Sequence, residues 1–152
     1  MDDKNKSIGF LSGLLHREAY KYFEKRMGKI GVHKGMIPLM KMLYCEDGVS
    51  QQTLCENIQV DKANVTRMLK RLETNGTIER RENPADGRSN LIYLTQKGKE
   101  MQPKFHAILV DWSEILTKGI DEDKKEMLRF LLKKCITNAQ GHLAENGDKI
   151  EE

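Results

Sequence analysis

Between Lys62 and Thr74, six polar side chains, Lys62, Asn64, Thr66, Arg67, Lys70 and Arg71, alternate with the apolar Val65, Met68, Leu69 and Leu72. At helical spacing this puts the apolar residues on one face and the polar set on the other. Arg and Asn can each bond a base edge through two hydrogen bonds, Thr offers a hydroxyl or a methyl, and Lys suits phosphate. A helix presenting all of them is equipped to read the major groove of double-stranded DNA. A solvated helix face has a similar composition, so the neighbouring segments must decide. Ser50, Gln51 and Gln52 open a preceding helix whose backbone amides can meet phosphates, and Arg88 follows a turn-rich stretch nearby. Three elements then converge on one polyanion.

Other chemistries find little support. The chain lacks Gly-x-Ser-x-Gly, His-Glu-x-x-His, Cys-x-x-Cys and a glycine-rich dinucleotide loop, so no catalytic residue is assigned and no cofactor is expected. His16, His33, His106 and His142 are scattered without metal spacing, so no metal site is expected either. Asp111 with Glu114 reads as a solvated helix face, and Asp121, Glu122 and Asp123 as a helix start favoured by the dipole. Cys45, Cys55 and Cys135 are odd in number and widely spaced, which suits reduced thiols acting as small buried hydrophobes.

The elements that position the polar set follow from periodicity and capping. Ser50 can cap a helix over 51–57, Asp61 can cap one over 62–74, and Gln59 and Val60 lie in the short turn between them, a helix-turn-helix spacing. After Asn75-Gly76 the period shifts towards 2: Thr77 to Glu82 and Ser89 to Leu94 read as strands, with Asn83 to Arg88 as a polar, basic hairpin tip. Before this unit, Ile8 to Met27 form a helical stripe and Ile37 to Leu43 a short helix. After it, Thr95 caps a long helix containing Pro103, and Asp121 caps an apolar last helix through Ala139. The first and last helices carry more apolar surface than a small domain can cover alone, so a homodimer held by residues 5–27 and 121–143 is expected.

The hairpin pattern is specific enough to name a likeness. Ser50 to Gly98 resembles the winged helix-turn-helix of the multiple-antibiotic-resistance regulator (MarR) family, most closely at Asp86-Gly87-Arg88 and Leu94-Thr95-Gln96-Lys97-Gly98. The resemblance implies a mainly α fold with a small β-hairpin wing, in which 1–152 form a single domain. Residues 32–98 would be the winged helix-turn-helix, and 5–28 and 96–145 the dimerisation helices. It further implies a cytoplasmic homodimer binding a palindromic site, with the 62–74 helix in the major groove and Arg88 in a minor groove. Asp86 would orient the Arg88 guanidinium, and a small phenolic or other aromatic effector would relieve repression. Asn83 departs from the Asp that the family often has. The family's thiol-based peroxide sensors carry a cysteine on the first helix, which this chain lacks; Cys45 and Cys55 flank the entry to the DNA-reading unit instead. A winged helix used for protein interaction, or a thiol-based redox-sensing regulator, is the rival reading.

Composition is compatible with all of this. With 152 residues, 38% hydrophobic and 32% charged, the chain is too apolar for disorder and too charged for a membrane protein. Its charged opening, Met1 to Lys6, does not read as a secretory signal. Residues 1–99 hold 18 basic and 12 acidic side chains, whereas 100–152 hold 8 and 11, so the net positive charge lies in the first two thirds of the chain.

Overall fold

The computed structural model describes residues 7–58 and 60–146. Ser7 opens α1 (Ile8–Gly28), its hydroxyl accepting the Phe10 amide at 3.1 Å. Of α1 only Met27 is buried; Ile8, Phe10, Leu11, Leu15 and Tyr20 stay exposed. Gly31 at φ 77° turns the chain, and a 3-10 turn (Lys34–Met36) leads into α2 (Ile37–Cys45), with Pro38 tolerated in its first turn.

The chain divides into two compact units, the first ending at Trp112. In the first, α2, α3 (Gln51–Ile58) and α4 (Lys62–Thr74) enclose Leu39, Met40, Leu43, Leu54, Val65, Leu69 and Leu72. A three-stranded antiparallel sheet covers them through Val49, Ile78, Ile92 and Leu94. Its strands are β1 (Val49–Ser50), β2 (Ile78–Asn83) and β3 (Asp86–Leu94), in the order β1-β3-β2. Sequence reading expects only the hairpin. β1 adds a third strand, pairing Val49 with Ile92 and Ser50 with Leu91, so the residue that opens α3 is stitched to the root of the wing.

The hairpin tip also differs from expectation. Residues 83–88 are not one loop: the turn is Pro84-Ala85 alone, and Asp86, Gly87 and Arg88 already belong to β3. Asn83 makes the tight turn possible. Its Oδ1 accepts the Ala85 amide at 3.0 Å, while its Nδ2 donates to Ser89 Oγ at 3.0 Å, a donation that an aspartate there could not make.

α5 (Gln96–Leu116) runs without a break through Pro103 and buries Gly98 and Phe105. The second unit, from Ser113, contains the last turn of α5 and α6 (Glu122–Asn146). Met127, Phe130, Ile136 and Leu143 of α6 are each more than half exposed. Among the described residues no helix is long and apolar enough to cross a membrane. The expectation of buried cysteines fails at two positions: Cys45 and Cys135 are exposed, and Cys55 is half-buried. Cys45 is the last residue of α2, where the helix leaves the core, and Cys135 lies on α6 among residues 131–140, all of which are exposed.

Candidate nucleic-acid interface

Asp61 sets the start of α4. Its Oδ1 accepts the Asn64 amide at 2.8 Å and its Oδ2 accepts from the Asn64 side chain. That backbone hydrogen bond, with the Arg67 guanidinium adding to it, holds the Asp61 carboxyl below its ordinary value. Asn64 Oδ1 in turn accepts from Arg67 Nη2, so Asp61, Asn64 and Arg67 form one relay along the helix surface. Lys62, Thr66, Arg67, Lys70 and Arg71 are all exposed, and Asn64 is half-buried. The structure therefore brings the six polar residues onto one face, opposite the buried Val65, Leu69 and Leu72.

On α3, Ser50 works as a cap: its Oγ accepts the Thr53 amide at 3.0 Å and lies 2.9 Å from Thr53 Oγ1. Thr53 thus takes the place that Glu or Gln fills in a full capping box. Gln52 is exposed and donates to Glu56 Oε1 at 2.9 Å. Gln51 has a different task, donating from Nε2 to Thr66 Oγ1 on α4 at 2.6 Å.

Sequence reading misses Arg80. From β2 its Nη1 donates to Gln51 Oε1 at 3.2 Å and its Nε to Glu73 Oε2 at 3.2 Å, tying the wing to both α3 and α4. One signal was available: strand alternation puts Arg80 on the same face as the buried Ile78, and a charge there needs partners. Between α3 and the hairpin lies a groove of about 600 Å³, lined by Gln51, Gln52, Lys62, Arg80, Asn83 and Asn90 among others. Arg88 sits on β3, but its side chain lies outside the described ones, and with it the expected pairing to Asp86.

The Leu94 to Gly98 motif has a physical reason. Thr95 Oγ1 accepts the Gly98 amide at 3.1 Å and donates to Gly76 O at 2.6 Å, while the Thr95 amide reaches Thr77 O at 3.1 Å. Lys97 Nζ donates to Asn75 O at 2.5 Å. Gly98 passes so close to this turn that a Cβ would sit 2.2 Å from Thr77 O. Behind it, Tyr44 donates from its hydroxyl to Gly98 O at 3.0 Å, and burial pushes that hydroxyl's pKa up to about 12. These contacts lock the start of α5 to the end of α4 and the root of the hairpin.

Among the described residues no group of His, Cys, Asp and Glu side chains is placed to hold a metal ion. The arrangement suits a polyanion with readable edges.

Comparison with known proteins agrees. The family model described as MarR family matches residues 37–89. The HTH-type transcriptional regulator BilQ of Clostridium symbiosum is 28% identical over 130 residues, covering 85% of this chain and 90% of its own. The multiple antibiotic resistance protein MarR of Escherichia coli is 26% identical over the same shares of the two chains. Among solved structures, a MarR transcriptional regulator from Methanosarcina mazei Go1 superposes with a TM-score of 0.82 at 29% identity, covering 88% of this chain and 96% of its own. A mutant MarR from Escherichia coli complexed with operator DNA gives 0.76 at 27% identity, covering 89% and 99%. With the helix-turn-helix, the wing and the Thr95–Gly98 lock in the places described above, residues 37–89 carry a MarR family domain, and the chain is similar over most of its length to MarR-type transcriptional regulators.

Proposed function

We propose that this regulator is a cytoplasmic repressor that binds a palindromic site in double-stranded DNA as a homodimer, and that a small phenolic or other aromatic effector releases it. In this reading residues 1–152 act as one domain, with 32–98 as the winged helix-turn-helix and 5–28 and 96–145 as dimerisation helices. The observation that carries the DNA-binding part is the exposed cationic face of α4, on which Asn64 holds the Arg67 guanidinium. Arg67 reads a base edge from the major groove, and Lys62, Lys70 and Arg71 meet phosphates. Ser50, Gln51 and Gln52 bring the start of α3 to the backbone, and Arg88, supported by Asp86, reaches a minor groove. The effector and the sign of regulation rest on the family resemblance.

Retention on duplex DNA that fades steeply as salt rises tests this reading. A winged helix devoted to protein partners would lack that slope. Replacing Arg88 with Ala removes one cation from each wing of a dimer. The slope of log affinity against log salt should then flatten by roughly 0.9 per lost phosphate contact, about 1.8 in all. Parallel salt titrations of equal affinity for wild type and variant would remove Arg88 from the interface.

The dimer reading has its own test. The exposed apolar residues of α1 and α6 exceed the scattered singles normal on a monomer. Light scattering should report twice the 17.5 kDa chain mass, and Phe130→Glu, a charge placed on α6's exposed apolar surface, should halve it. A wild-type monomer that still binds a full palindrome would overturn the dimer.

A further inference from the structure

Thr66 is exposed on the reading face of α4, yet its hydroxyl is already engaged within the protein. The orientation of that engagement is forced by a chain of partners. Arg80 can only donate, so the Gln51 amide must turn its Oε1 to Arg80 Nη1 at 3.2 Å. Gln51 Nε2 then faces Thr66 Oγ1 at 2.6 Å, and the hydroxyl oxygen must accept. Its single proton goes to the Lys62 carbonyl at 2.8 Å. With that proton committed, Thr66 cannot donate to O6 or N7 of guanine or to O4 of thymine. What the side chain retains for a groove is its Cγ2 methyl and, on the oxygen, one lone pair that can only accept. Asn64 is engaged too, donating to Asp61 and accepting from Arg67, which leaves its amide one N–H and one oxygen lone pair.

We infer that Thr66 determines sequence preference through its methyl group, packed against the 5-methyl of a thymine, with Gln51 and Arg80 fixing the hydroxyl so that it cannot donate to a base. This rests on the DNA-binding reading above. The test begins with wild-type protein and a random-sequence duplex library, from which a preferred duplex is selected. Each thymine in that duplex is then replaced by uracil, which removes only the methyl. At one thymine per half-site, uracil should weaken wild-type binding about fourfold, and about fifteenfold when both half-sites carry it, the worth of one buried methyl at each. Thr66→Ser keeps the hydroxyl and loses the methyl, so its thymine-to-uracil ratio should fall to about one. Thr66→Val keeps a methyl and should retain the ratio. A ratio unchanged in Thr66→Ser, lost in Thr66→Val, or absent at every thymine for wild type would overturn the inference while leaving DNA binding intact. A library that yields no preferred duplex would instead overturn the DNA-binding reading and this inference with it.

Discussion

Arg67→Ala is expected to remove most of the difference in affinity between a selected duplex and a scrambled one, while affinity for the scrambled duplex barely changes. Arg67 is exposed, and the structure engages one edge of its guanidinium with Asn64 Oδ1. The group is planar, permanently charged and carries five donors, so the remaining donors match O6 and N7 of guanine as a pair. Each such bidentate contact is worth about 1–3 kcal/mol of discrimination, and a palindrome read by a dimer contains two, so about 2–6 kcal/mol is at stake. Lys70→Ala supplies the contrast. A lysine on the same face, with no fork to match a base edge, should lose affinity alike on both duplexes. Binding curves for the two variants on the two duplexes decide the matter, and equal losses for Arg67→Ala on both would reduce Arg67 to a phosphate contact.

Gly98→Ala should lower the thermal midpoint, the reverse of what this exchange does inside most helices. Ordinarily alanine gains about 0.5–1 kcal/mol over glycine there. Here the new Cβ would stand 2.2 Å from the Thr77 carbonyl oxygen and 3.2 Å from Leu94 Cδ2, and the first of these is backbone that cannot rotate aside. Relief requires α5 to lift from the α4–β2 turn, stretching the Thr95 and Lys97 hydrogen bonds that hold it. Overpacking of this kind costs about 1–3 kcal/mol, and for a chain of this size each kcal/mol moves the midpoint by roughly 2–4 °C. A melt at or above the wild-type temperature would show that the close approach at Gly98 carries no constraint.

How much of this could be read beforehand depended on how local the cause was. The bounds of α4 follow from the sequence because an Asp61 cap and a Val65, Leu69, Leu72 repeat act within the helix itself. The polar reading face follows for the same reason. The wing was legible as a hairpin but not in its bounds, since Asp86-Gly87-Arg88 has turn composition and enters β3 only through pairing across the strands. β1 has two residues, too few to show a period, and exists because Val49 and Ser50 find Ile92 and Leu91. The Arg80 network spans residues 51 to 80 and no spacing rule reaches it. Least legible was the state of each polar side chain: Asn64 and Thr66 have the right types for base reading, and only their partners show how much of each is already engaged.

The order β1-β3-β2 leaves β2 as a sheet edge over its whole length. An open edge is a template on which a second molecule can lay down a strand. This one runs Ile78-Glu79-Arg80-Arg81-Glu82-Asn83, four charged residues in six, and ends against Pro84. An incoming strand would have to displace water from Glu79 and Glu82 and disturb Arg81, whose guanidinium lies 4.4 Å from the centre of the Tyr93 ring. The wing therefore resists runaway strand addition at high concentration.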